Sequence, residues 1–129
     1  MPWYCAHIIM QIRFKDGIDD VFPVWELVVL VQADSVSEGF EKAKARGKAR
    51  GGDDGGAFEF EGRPATLAYS GVRKLIECEC EDGDLLPRDG TEVSYSRFEM
   101  SNRDDVQRLA KGESVRLYFA PVDHARSQQ

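Results

Sequence analysis

The 129-residue chain has no run of 18 apolar residues, so no segment reads as a membrane-spanning helix. Its first stretch, MPWYCAHIIMQIRFK, has no basic cluster ahead of an apolar block and alternates apolar with polar residues, unlike an export signal. Positive charge is in deficit: 17 Lys and Arg stand against 23 Asp and Glu, a net charge of −6. That balance argues against a general nucleic-acid binder, which needs a basic surface to neutralise phosphates. There are three cysteines, an odd number, so a disulfide framework is not expected; reduced thiols and a cytoplasmic location are. No glycine-rich phosphate loop follows a strand, and the segment GGDDGG at 51–56 carries acid where a phosphate would sit. The basic run at 42–50 has no interleaved aromatics of the kind that stack on single-stranded bases. No internal repeat is visible. No cofactor, no nucleic-acid partner and no membrane association are therefore expected.

What is present suits a soluble domain: 42% hydrophobic and 31% charged residues, at a length that buries a sufficient core without metals or disulfides. The expected organisation is one domain over 1–120 and a flexible tail over 121–129.

Residues 3–15 alternate strictly. Tyr4, Ala6, Ile8, Met10, Ile12 and Phe14 fall on one face; Trp3, Cys5, His7, Ile9, Gln11 and Arg13 fall on the other, which is a strong strand signal. A turn at Asp16-Gly17 leads to a second strand over 22–33, apolar on both faces at 27–31 and so expected to be central. Ser35, with Glu38 three residues on, predicts a capped helix from Ser35 to Arg50, with Val36, Phe40, Ala43 and Gly47 inward and Phe40 as its anchor. Its basic second half suits the negative end of the helix dipole. GGDDGG reads as a flexible loop and 58–61 as a short strand. Residues 66–80 and 92–100 read as two long strands paired in a central hairpin. Neither face of 66–80 is cleanly apolar, so a bulge near Gly71 is expected. A short helix from Arg103 to Lys111, with Val106, Leu109 and Ala110 inward, and a last strand around Val115, Leu117 and Phe119 complete the order. The fold class is α+β, a single mostly antiparallel sheet with helices on one face. Without its first strand the order is ferredoxin-like.

Few residues suggest chemistry. Cys5, His7, Cys78 and Cys80 would converge if the first and fourth strands were neighbours, giving a zinc ligand set. Alternate strand residues sit about 6.5 Å apart, however, too far for two sulfurs on one zinc, so buried small hydrophobes are the favoured role. Cys–His catalysis needs Cys5 or Cys78 beside His7, because His124 lies in the tail; nothing marks an oxyanion hole, and no catalytic residue is assigned. Tyr69, Arg73, Glu92, Tyr95 and Arg97 are the candidate binding residues. For the stretch around Ser96 and Arg97 the plain reading is a surface ladder in which Arg97 and Glu99 pair with neighbouring strands.

Several of these words together resemble a bacterial family known only as a domain of unknown function: Trp3-Tyr4 with Ala6, Val28 to Val31 ending at Ala33, the capped helix closing near Gly47, Gly71-Val72, and Gly90-Thr91-Glu92-Val93 leading to Tyr95-Ser96-Arg97-Phe98. The likeness covers 3–98. Ser94 is one residue more than the family motif carries, which predicts a bulge and changes the facing of Tyr95 and Arg97. The resemblance implies an architecture and a bacterial cytoplasmic setting, and it brings no activity. The expected function is a non-enzymatic protein-binding module, with a protein partner or a second copy of the chain, marked by a flat patch of Trp3, Trp25 and tyrosines. The alternative is a small-molecule-binding domain or enzyme with its pocket between the sheet and the main helix.

Overall fold

The face of β1 (Trp3–Phe14) carrying Tyr4, Ala6, Ile8, Met10 and Ile12 is buried along its whole length, and the molecule is assembled around it. A computed structural model describes residues 1–80 and 86–120. After β1 come β2 (Val24–Gln32), α1 (Val36–Arg50), a 3₁₀ turn (Asp54–Gly56), β3 (Glu59–Phe60), β4 (Arg63–Glu77), β5 (Phe98–Glu99), α2 (Arg103–Ala110) and β6 (Tyr118–Phe119). The main sheet has the order β2-β1-β4-β3 and every pairing in it is antiparallel; β5 and β6 form a separate two-stranded ribbon. The fold is α+β.

This order revises several expectations. β1 is an inner strand paired on both sides, and β2 is the edge. The apolar run of β2 misled because its even residues stay open: Val24, Val28 and Leu30 are all exposed. In the ferredoxin-like order the two strands flanking the first helix are separated by the strand that follows them; here β2 and β4 are separated by β1, the strand that precedes them. Among the described residues the central hairpin is also absent. Within 86–100 only Phe98–Glu99 is strand, and its partner is β6; where the ladder was expected, the Glu79 N–H donates to the Glu92 carbonyl (3.1 Å).

α1 begins as its sequence dictates. The Ser35 hydroxyl accepts the Glu38 N–H (3.1 Å), and the Glu38 carboxylate accepts the Asp34 N–H (3.3 Å). The helix meets the sheet through its smallest residues, Gly39, Ala43 and Gly47, which are buried, while the expected anchor Phe40 is half-buried beside the core. Contact is so close that a Cβ on Gly47 would lie 2.5 Å from the Tyr69 ring and 2.9 Å from an Ile8 methyl. α2 is capped by Asn102 but buries no residue; Val106 is exposed, so it does not form a second layer on the sheet.

The expected bulge near Gly71 exists, and it is double. Register shifts fall between His7 and Ile8 and between Ile9 and Met10, opposite Arg73 and Ser70. The GGDDGG segment is not a slack loop: Asp53 pairs with Lys15 (2.6 Å) and accepts the Gly56 N–H, and Gly52 bridges to Leu67. Gly52, Gly55 and Gly56 all adopt positive φ, which only glycine takes without strain. The tail over 121–129, with His124, lies outside the described residues.

Candidate functional site

The face of the sheet turned away from α1 is polar at its centre. Alternation along β1 sends Cys5 and His7 there, and the pairings Cys5 with Ile76 and His7 with Lys74 put Lys74, Ile76 and Cys78 on the same face. Beside them on β2 stand Leu30, Val28 and Glu26, across from Cys5, His7 and Ile9. The first bulge of β4 leaves Arg73 as the extra residue, so two consecutive cations, Arg73 and Lys74, reach the same neighbourhood. The segment 92–97 crosses over this face and presents Ser94 and Ser96 to it.

His7 is 6% exposed and both of its ring nitrogens are engaged. Nδ1 lies 2.5 Å from Glu26 Oε1 and Nε2 lies 2.6 Å from Ser94 Oγ. An ionised carboxylate only accepts, so the proton sits on Nδ1, and Nε2 is left to accept the Ser94 hydroxyl. Arg73 donates to the same Glu26 oxygen from Nε (3.2 Å) and Nη2 (2.7 Å). Ser96 Oγ takes Lys74 Nζ at 3.1 Å and Arg73 Nη2 at 3.4 Å. Two rings cover the cations: Tyr95 lies 5.1 Å from the Lys74 ammonium and Phe119 lies 4.2 Å from the Arg73 guanidinium.

The electrostatics follow from these contacts. Burial pushes the His7 imidazole below its ordinary value, more than the Glu26 hydrogen bond raises it, and Lys74 and Arg73 push it further down. Burial alone would raise Glu26, but hydrogen bonds from Arg73 and His7 and the guanidinium charge hold its carboxyl below the usual range. Burial raises the Cys5 thiol against the opposing pull of a Ser94 hydrogen bond and Lys74, which keeps it protonated.

The expected convergence of strands one and four is real, and it brings Cys5, His7 and Cys78 onto one face. The Cys78 thiol is directed to the Val93 carbonyl (3.5 Å), and Cys80 lies beyond the strand end. Among the described residues no group of three or more His, Cys, Asp or Glu is placed to hold a metal ion. The five candidate binding residues do not share a surface. Tyr69 lies under Gly47 on the α1 face; Arg73 and Tyr95 belong to the His7 cluster; Glu92 and Arg97 are exposed, and their carbonyls accept Glu79 and Ala120 N–H groups. Glu26, Lys74 and the role of Ser94 are not among the residues the sequence singles out, whereas Ser96, beside Arg97 in the motif, does join the cluster. The one available signal was Ser94 itself, the residue in excess of the family motif.

A second feature lies along the β2 edge. A groove of about 550 Å³ runs between β2 and α1, lined by Trp3, Leu30, Gln32, Lys42, Ala45 and Arg46 among others. The Trp3 indole N–H is buried there without a hydrogen-bond partner among the described residues. Trp25 instead packs edge-on against Phe58 and Phe60 at 6.0 and 6.3 Å, so the two tryptophans form no common flat patch.

A family model described as Domain of unknown function (DUF4288) matches residues 3–94. The chain belongs to this family. The matched stretch takes in the whole four-stranded sheet and α1 and ends at Ser94, so the DUF4288 domain includes both the His7–Glu26 pair and the β2 groove. No curated protein and no solved structure matches the chain. No helix among the described residues is long and apolar enough to cross a membrane.

Proposed function

We propose that this DUF4288 domain is a protein-interaction module that takes up an extended acidic segment of a partner as an added strand on β2. The carrying observation is the outer edge of that strand, with which no strand among the described residues pairs. The Pro23 carbonyl accepts the Ile12 N–H of β1 and the Ala33 N–H donates to Pro2 just ahead of β1, so the odd residues of β2 face inward and the even ones, Val24 to Gln32, turn their N–H and C=O groups outward. The outward Gln32 carbonyl is already met by Lys42 Nζ at 2.6 Å, which shows the helix reaching over the edge. An unpaired edge beside a helix-walled groove is the setting in which strand addition occurs, with backbone bonds supplying affinity and side-chain pockets supplying selectivity.

Charge favours an acidic partner segment over a second copy. The groove wall carries Lys42 and Arg46, within a helix whose later half also holds Lys44, Lys48 and Arg50. A two-fold pairing of β2 with β2 would bring two such basic helices together, and like charges there disfavour self-association. The three cysteines are free thiols, which supports a reducing, cytoplasmic setting.

The test is selection of random peptides displayed on phage against the immobilised full chain, followed by amide hydrogen exchange with the best peptide. Acidic peptides are expected, and the amides of Val24, Glu26, Val28 and Leu30 gain protection on binding. Selected peptides without acidic residues, or protection that falls elsewhere, would sink the reading.

A further inference from the structure

The geometry points to a second capability, independent of strand addition: Ser94 is a nucleophile armed by His7 and Glu26 for acyl transfer from an ester with an apolar acyl group. Nucleophilic serine needs a base within hydrogen-bond reach and a third group that orients the base. Ser94 Oγ to His7 Nε2 at 2.6 Å and His7 Nδ1 to Glu26 Oε1 at 2.5 Å supply both. The tautomer is the required one, because Glu26 holds the proton on Nδ1 and leaves Nε2 open to receive the serine's. Arg73 adds two hydrogen bonds to Glu26 and so fixes the orienting carboxylate in turn.

Two further observations bear on the substrate. Arg73 and Lys74 both reach Ser96, two residues along from Ser94, so positive charge that would favour a developing oxyanion lies in the nucleophile's neighbourhood. On the other side Val28 and Leu30, the β2 neighbours of His7 and Cys5, are 53% and 43% exposed on the same face. They offer an apolar ledge for the acyl chain.

The reaction balances without an outside reagent other than water. Ser94 Oγ bonds to the ester carbonyl carbon while its proton passes to His7 Nε2, and the carbonyl electron pair moves onto oxygen. That pair returns, the bond to the leaving alkoxide breaks, and the alkoxide takes the proton from His7 to depart as the alcohol. Water then adds to the acyl carbon and gives its proton to His7. The bond to Ser94 breaks, the serine regains the proton, and a carboxylic acid leaves.

The test treats the purified chain with a fluorescent fluorophosphonate, read by intact mass and peptide mapping, alongside hydrolysis of p-nitrophenyl butyrate. A single adduct on Ser94 is expected, lost in Ser94→Ala and retained in Ser37→Ala on the exposed face of α1. Glu26→Gln and His7→Gln, each checked for folding by circular dichroism, should slow labelling, the latter by about 100-fold or more. Ser94→Ala removes one half-buried hydroxyl from a segment outside the strands and helices and should fold even where His7→Gln does not. No adduct on the folded wild-type chain, or adducts on other serines that survive Ser94→Ala, would overturn the assignment.

Discussion

At the scale of single residues, the His7–Glu26 pair ties the molecule's stability to pH. The folded His7 titrates below its ordinary value of 6.5, so the unfolded chain binds the proton more readily. Stability contributed here is present above 6.5 and falls as the pH drops from there toward the folded value. Glu26, also held low, adds a loss of the same sign at more acidic pH. Urea midpoints should therefore decline between pH 7.5 and pH 5.5 in the wild type, and His7→Gln should flatten that decline; an unchanged slope would show that His7 is not the group responsible. At constant pH, Glu26→Gln leaves Arg73 and His7 with a weaker acceptor in a half-buried place, an expected cost of about 1–3 kcal/mol in urea denaturation. None of this was readable from the linear order. His7, Glu26, Arg73 and Ser94 are spread over β1, β2, β4 and the segment after it, and no spacing rule links them.

At the scale of elements, the sequence was most informative where a local pattern decides the outcome. The alternation in β1, the Ser35–Glu38 cap, the short strand at 59–60 and the irregularity near Gly71 all follow from neighbours in the chain. Pairing partners did not follow. An apolar run such as Leu27 to Val31 looks the same whether a strand is inner or edge, and residues 92–97 alternate well yet spend their polar side chains on the sheet face instead of a ladder. The double bulge also gives β4 a local spacing of three, with Leu75, Val72 and Tyr69 all on the α1 side, which blurs the period-two signal. Helix seating likewise departs from the pattern: Phe40 is the largest residue of the apolar stripe, but the small Gly39, Ala43 and Gly47 do the seating. Substitution separates the two cases. Gly47→Ala gains about 1 kcal/mol of helix propensity. It also drives a methyl into the Tyr69 ring and Ile8, an overpacking of about 1–3 kcal/mol, so a lower melting temperature is expected. Gly39→Ala meets mainly the movable end of Leu75 and should be milder. Equal melting temperatures for the two variants would refute the close seating at Gly47.

At the scale of the whole molecule, charge is unevenly divided: the chain is acidic overall, with a net charge of −6, while the groove wall beside the open edge is basic. Binding of an acidic segment should therefore weaken as salt is raised from about 50 to about 500 mM, because exposed charges are screened over a few ångströms at high ionic strength. Val28→Lys should leave the melting temperature nearly unchanged, as exposed substitutions usually stay within about 0.5 kcal/mol, while removing binding of a selected acidic peptide measured by fluorescence polarisation, the titration that also reads the salt dependence. Binding that persists in Val28→Lys would place the docking surface elsewhere. The inner position of β1 has one more consequence, and it concerns time. The first strand of the sheet is the one whose partner lies farthest along the chain from it. Its ladder with β4 joins Phe14 to Ala65 and Tyr4 to Glu77, separations of 51 and 73 residues. During synthesis β1 and β2 can meet early as a hairpin, but the far side of β1 must wait, unpaired, until residue 77 has left the ribosome. Such non-local closure sets a slow folding step and leaves a sticky intermediate in the interval.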